Sequence, residues 1–334
     1  MRILVDGGAG YVGSALVPCL LHAGHEVRCL DLGWFGTDHL PHGVSGFEFV
    51  QGDIRDAKLY RECCEGMEAV VHMACVSNDN SCQLDEALST SINLDAFEPM
   101  VLAAKDAGVR RYVYCSSSSV YGTSDAAEVR EDHTLLPLTL YNRYKGMCEP
   151  ILWKHTTPEF EGVILRPATV CGPAPRMRFD LTVNVLTMHA ITKRVITVHG
   201  GEQRRPNLDI RDMCRAYETV LSAPPESVAG QTFNVGHSNH TLMETAVRVK
   251  DVVEREMPGE LVRIDIEDRR DHRSYHVNSD KIAAALNFRP LYPMEESIRN
   301  ICQGFRWGEW PDALDNPIYT NVVQLIGNGL GRPA

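Results

Sequence analysis

The stretch Gly7-Gly8-Ala9-Gly10-Tyr11-Val12-Gly13 constrains this chain more than any other. It follows the apolar run Ile3-Leu4-Val5 and precedes Ala15 to Ala23, which reads as a helix stopped by Gly24. Glycines three residues apart strip side chains from the point where a strand becomes a helix. Gly7 is free to take a positive φ in a tight turn. Gly10 lets an anion come close to bare backbone, and Gly13 lets the helix pack tightly on the strand. The helix N-terminus then offers N–H groups and a partial positive charge to a phosphate.

The rest of the first half alternates strands with helices. Glu26 to Leu30, Phe47 to Val50, Ala69 to Met73, Arg111 to Cys115 and Gly162 to Leu165 read as strands. Leu59 to Cys64, a long stretch from Ala87 to Ala107, and Leu140 to Lys154 read as helices, with Pro150 expected to kink or end the last. This rhythm predicts an α/β fold: a Rossmann-type, doubly wound parallel sheet with right-handed crossovers. After Pro167 the rhythm breaks, and prolines and basic residues increase. The expected division is a nucleotide-binding domain over 1–172, with a returning segment at about 208–237 that includes the strand Thr232 to Gly236. A smaller C-terminal substrate-binding lobe takes 173–207 and 238–334.

Composition narrows the function. A net charge of −11 argues against nucleic acid as a partner. No apolar run is long enough to span a membrane. Met1 leads straight into a strand without a signal-like segment, so a cytoplasmic location is expected. The eleven cysteines include no paired Cys-x-x-Cys spacing, so free thiols and no metal site are expected.

Asp31 ends the second strand, where a carboxylate can accept both hydroxyls of a ribose. The same charge repels a 2′-phosphate, and Leu32 and Gly33 provide no arginine to hold one. The expected cofactor is therefore NAD. Asp53, after the third strand, is a candidate for the adenine edge or a plain turn residue. Asp6 stands immediately before the glycine turn, a costly place for a carboxylate beside a diphosphate unless it points away or is neutralised.

Tyr141 and Lys145 lie four apart on a predicted helix and share one face. A phenol with a pKa near 10 must fall to roughly 7 to act as a base at neutral pH. A lysine ammonium and a nicotinamide cation beside it could together supply that shift. The serine run Ser116 to Ser119, at the end of the fifth strand, could bond the same substrate oxygen.

These motifs, with "GDIRD", "VVHMAC", "SSSSVYG", "YNRYK" and "LRPATVCGP", resemble the extended short-chain dehydrogenase/reductases of the NAD-dependent nucleotide-sugar epimerase/dehydratase group, over nearly the whole chain. The resemblance implies Ser117, Tyr141 and Lys145 as the catalytic set, Tyr141 being the base. It places Gly7, Gly10, Tyr11, Val12, Gly13, Asp31, Asp53, Ile54, Ala74, Cys75, Asn93, Tyr141, Lys145 and Pro167 at the cofactor. It places Ser118, Thr169, Asn184, Arg205, Arg269 and Arg273 at a nucleotide-diphosphate sugar, with Thr169 replacing the asparagine common in the group. It also implies a homodimer packed through two helices per subunit.

Dehydratases of the group carry an Asp-Glu pair where this chain has Ser118-Ser119, and neither serine is an acid or base near neutral pH. That favours a 4-epimerase. A keto-sugar reductase or dehydrogenase, a 4,6-dehydratase and a non-catalytic NAD-binding sensor stay open as alternatives. The Asp31 reading carries a direct test: cofactor-free protein titrated with both cofactors should bind NAD more tightly than NADP. Asp31→Ala should narrow the gap, and equal or tighter NADP binding by the native chain would refute the reading.

Overall fold

A computed structural model describes residues 1–124, 126–268, 274 and 276–329. Seven parallel strands form the central sheet: β1 (Arg2–Asp6), β2 (Glu26–Asp31), β3 (Phe47–Gln51), β4 (Ala69–His72), β5 (Arg111–Cys115), β6 (Glu161–Pro167) and β10 (Gln231–Val235). Their order is β10-β6-β5-β4-β1-β2-β3. Strand order reverses at β1, which has β2 on one side and β4 on the other. Such a reversal opens a crevice at the carboxyl ends of the strands.

The alternation along β1 shows how the sheet is buried on both faces. Ile3 and Val5 join a core formed with Leu16, Val17 and Leu20 of the helix Tyr11–His22 and with Met213 and Tyr217 of the helix Ile210–Ser222. Leu4 points the other way, into a core with Tyr60, Phe97, Met100 and Leu152 from the helices Ala57–Cys64, Phe97–Asp106 and Leu140–His155. Period-two side chains on a strand require this division.

Two small sheets lie beyond β6. One runs β11 (Ser238–Thr241), β9 (Arg204–Asp209) and β7 (Thr169–Cys171); the other pairs β12 (Arg263–Glu267) with β8 (Val195–His199). A separate apolar cluster, including Val183, Leu186, Ile196, Val249 and Ile298, packs beneath them.

Two helical expectations change. The stretch read as one helix from Ala87 to Ala107 is Glu86–Thr90, a π-helical turn Ser91–Asp95, and Phe97–Asp106. Within the wider turn Asn93 bonds both backbone groups of Val76, accepting from its N–H (2.8 Å) and donating to its carbonyl (2.9 Å). The helix Leu140–His155 runs on through Pro150. Proline there removes only the bond to the Gly146 carbonyl, and helices survive one such loss when their faces are packed.

Asp6 is fully buried and turned away from the glycine turn. Its carboxylate accepts from Tyr60 Oη (2.8 Å), His72 Nδ1 (2.8 Å), and the N–H groups of Met73 and Ala74 (2.9 Å each). Burial alone would raise its pKa, but the His72 ring and these hydrogen bonds outweigh burial and hold it below the ordinary carboxylate value. A lowered folded-state pKa stabilises the fold above the unfolded value. That stabilisation is lost as pH falls through the folded value. Asp6→Asn, which puts an amide where four donors converge, should therefore cost about 3–5 kcal/mol near neutral pH, the scale of two lost hydrogen bonds to a charged group. Urea unfolding should show the gap between native protein and variant shrinking as pH falls below about 4; a gap independent of pH would contradict the assignment.

Candidate active site

A cavity of about 380 Å³ opens at the carboxyl ends of β1, β4, β5 and β6. Its floor is the glycine turn. Gly7 takes φ +73°, and a Cβ there would lie 2.6 Å from the Ala74 nitrogen. A Cβ on Gly13 would meet Gly8 Cα at 2.5 Å. A Cβ on Gly10 would meet only the Gly7 carbonyl, at 3.1 Å, so its other side is open to the cavity. Asp31 stands at the rim of this floor, accepting from Ala9 N–H (3.0 Å) and Gly33 N–H (2.9 Å). Desolvation raises its pKa, with those two backbone bonds opposing. The bared turn, the helix behind it and a carboxylate at the end of β2 fit a dinucleotide.

The three expected catalytic side chains all line this cavity. Ser117 follows β5 and caps the short 3₁₀ turn Ser118–Tyr121. Tyr141 and Lys145 come from the helix Leu140–His155. Lys145 Nζ donates to the Cys115 carbonyl (2.7 Å) and sits 5.8 Å from the centre of the Tyr141 ring. Burial pushes the Tyr141 phenol above its ordinary pKa, while the Lys145 ammonium pulls it down. Of these two effects burial is the larger, so the phenol stays above its ordinary value.

One helical turn beyond Lys145, buried Glu149 accepts from Ser116 Oγ (2.6 Å) and pairs with Arg166 through both its oxygens (2.9 and 2.6 Å). This locks the helix that carries Tyr141 and Lys145 to the ends of β5 and β6. Sequence reading passed over Glu149 because its partners lie on separate strands.

A hydrogen-bond chain fixes Ser117. Ser119 Oγ donates to Asn142 Oδ1 (2.5 Å), so in the contact between the two serines (2.7 Å) Ser117 is the donor. Asn142 also lines the cavity, and its Nδ2 is buried without a partner. Ser119 and Asn142 are therefore positioning residues for Ser117.

Of the other expected cofactor residues, Gly7, Gly10, Tyr11, Val12, Gly13, Asp31, Ile54, Ala74, Cys75 and Pro167 line the cavity. Asn93 does not; it shapes the wall through Val76. Asp53 is not part of the wall either, and its carboxylate is paired with Arg55 (2.5 Å). Of the expected substrate residues, Ser118, Thr169 and Arg205 line the cavity. Asn184 lies behind it, fully buried. It donates to the Tyr11 hydroxyl (3.2 Å) and the Arg178 carbonyl (2.9 Å), and accepts from Gly172 N–H (3.0 Å). A side chain with every polar group so committed has none left for a substrate phosphate. Arg269 and Arg273 lie outside the described residues. Sequence reading did not single out Asn142, Asp79, Arg176 or Arg178, which also line the cavity.

The model of the NAD dependent epimerase/dehydratase family matches residues 3–236. The chain belongs to that family. Its NAD dependence agrees with the cradle formed by the glycine turn and Asp31. A family member from Mycolicibacterium smegmatis, UDP-glucose 4-epimerase, is 29% identical over 321 residues, covering 92% of this chain and 99% of its own. The dTDP-D-glucose 4,6-dehydratase of Mus musculus is 27% identical over 341 residues, covering 93% of this chain and 91% of its own. Among solved structures, dTDP-glucose 4,6-dehydratase from Streptomyces venezuelae, with NAD and TYD bound, superposes with a TM-score of 0.82 at 25% identity, over 93% of this chain and 99% of that one. Epimerases and dehydratases are thus both represented among the relatives. No helix among the described residues is long and apolar enough to cross a membrane.

The serine–asparagine chain makes a kinetic prediction. Ser119→Ala should lower kcat about tenfold, the effect of roughly one lost hydrogen bond, with KM little changed. Ser119→Thr, which keeps the hydroxyl, should restore kcat. Steady-state kinetics decide it, and a loss confined to KM would show that Ser119 contacts substrate instead.

Proposed function

We propose that this protein is a nucleotide-sugar 4-epimerase working through a transient 4-keto sugar. What carries the reading is the chemistry around Ser117. Ser118 and Ser119 stand beside it without an ionisable group, and the Ser119 hydroxyl is committed to Ser117 and Asn142. Among the described residues lining the cavity the carboxylates are Asp31, at the glycine turn, and Asp79. Asp79 accepts from Thr139 Oγ1 (2.5 Å), the hydroxyl that caps the catalytic helix. Removing water from C5 and C6 of a hexose requires a base and an acid at those carbons. The serines supply neither.

Bound NAD supplies the acceptor and donor of the electron pair at C4. The protein's part is to hold and move one proton. In the reaction the Ser117 hydroxyl turns from Ser119 to donate to the C4 oxygen, Tyr141 as the phenolate takes the C4 hydroxyl proton, and Lys145 stabilises that phenolate. Rotation of the keto sugar before the steps reverse gives the opposite configuration. The sugar's diphosphate is assigned to Arg205 and its hexose to the wall formed by Ser118 and Thr169. We also infer a homodimer through the helices Phe97–Asp106 and Leu140–His155, which expose Leu102 and Met147.

A second reading, 4,6-dehydration, is supported by the dehydratases among the relatives and would recruit Asp79 as the acid. The two separate in deuterated water. With a panel of UDP-, dTDP-, GDP- and CDP-sugars, the epimerase reading expects a product of unchanged mass and no solvent deuterium on carbon. A product lighter by one water, or deuterium at C5, would overturn it. Tyr141→Phe should lower turnover by about 10²–10⁴-fold and leave NAD and nucleotide-sugar binding in place.

A further inference from the structure

Arg176 is 3% exposed and lines the cavity, yet among the described residues its guanidinium bonds no carboxylate. One nitrogen donates to Asn321 Oδ1 (2.6 Å) and, at 3.4 Å, to the Ile318 carbonyl, both uncharged. The Phe35 ring covers one face, 4.0 Å from its centre. Nε is buried without a partner. The neighbouring Arg178 differs. It pairs with Asp180 through two nitrogens (2.7 and 3.0 Å), and the Asp180 carboxylate is further occupied by the Asn321 N–H (3.0 Å). Burial and the Arg178 charge pull the Arg176 pKa down to about 9, against the opposing pull of the Asp180 and Asp31 carboxylates.

The position of Arg176 says which anion it awaits. Its backbone N–H donates to Ser14 Oγ (3.1 Å), on the first turn of the helix that follows the glycine turn. Its side chain therefore enters the cavity beside the first turn of that helix, on the Asp31 and Phe35 flank. The C-terminal segment holds it there. Asn321 also bonds Ser77 Oγ (2.8 Å) after β4, while Asn328 Nδ2 bonds the Trp34 carbonyl (3.0 Å) after β2. This strap joins the two loops flanking the glycine turn, and it lies beyond the residues matched by the family model.

We propose that Arg176, held in place by Asn321, clamps the cofactor's diphosphate against the glycine turn, so that the C-terminal strap sets how tightly the dinucleotide is retained. An arginine fork suits a diphosphate because two donors can meet two oxygens. The proposal rests on the dinucleotide reading of the cavity. The substrate offers the same diphosphate chemistry, and the test separates the two sources.

Full-length protein freed of cofactor is titrated calorimetrically with NAD, ADP-ribose, adenosine and UDP. In the native chain NAD and ADP-ribose should bind far more tightly than adenosine; failure of that comparison would overturn the dinucleotide reading and the clamp with it. Arg176→Ala should weaken NAD and ADP-ribose alike, by about 10- to 100-fold, and leave adenosine and UDP unchanged. Asn321→Ala, which keeps the charge but frees it, should give a smaller loss in the same two ligands and faster NAD release on dialysis. Unchanged NAD and ADP-ribose affinity in a folded Arg176→Ala protein would overturn the clamp alone. So would a loss confined to UDP, which would assign Arg176 to the substrate, or an equal loss for adenosine, which would mark a collapse of the whole pocket.

Discussion

The buried carboxylate of Asp6 ties the end of β1 to the end of β4, and most of the site depends on that tie. Four donors converge on it: a tyrosine from the helix Ala57–Cys64, the His72 ring, and two successive backbone N–H groups, Met73 and Ala74. Those backbone bonds set the path of the chain leaving β4, and that path forms the wall opposite Gly7. The fit is close enough that Gly7 has no room for a Cβ beside Ala74. A carboxylate that would repel a diphosphate on the open side of the turn thus serves, on the closed side, to shape the floor that receives one.

The Tyr141 end of the cavity follows the same logic with opposite signs. Burial favours the neutral phenol of Tyr141, and Lys145 works against it from one helical turn away. Lys145 is in turn fixed by the Cys115 carbonyl, and the helix carrying both is locked by the Glu149–Arg166 pair. In the reaction we propose, a Tyr141 phenol that stays protonated until a positive charge arrives beside it couples proton removal to the oxidised cofactor. Idle deprotonation of Tyr141 in the cofactor-free protein is suppressed by the same desolvation.

Much of this was legible in the chain. The mostly apolar runs at 3–5, 69–73 and 112–115 mark strands because a sheet covered on both faces needs near-continuous apolar segments. The glycine spacing and the four-residue step from Tyr141 to Lys145 are local, so they survive in sequence. What escaped was set by partners far along the chain. The π-turn at Ser91–Asp95 accompanies the bonds of Asn93 to Val76. The compensation of Asp6 needs Tyr60 and His72. Asn184 looked like a phosphate ligand, but its amide is consumed by Tyr11, Gly172 and the Arg178 carbonyl. Arg176 was one basic residue among several in an irregular stretch, and only folding shows it beside the first helix, bonding no carboxylate among the described residues.

The central claim, that Ser117, Tyr141 and Lys145 work at C4 without an acid and base for elimination, is tested most directly by following the hydrogen on that carbon. A nucleotide sugar carrying deuterium at C4 should give an epimer that retains the label at C4, in the same molecule, with none passed to unlabelled sugar in the mixture. Deuterium found at C6 of a dehydrated product, or lost to exchanging cofactor, would contradict it.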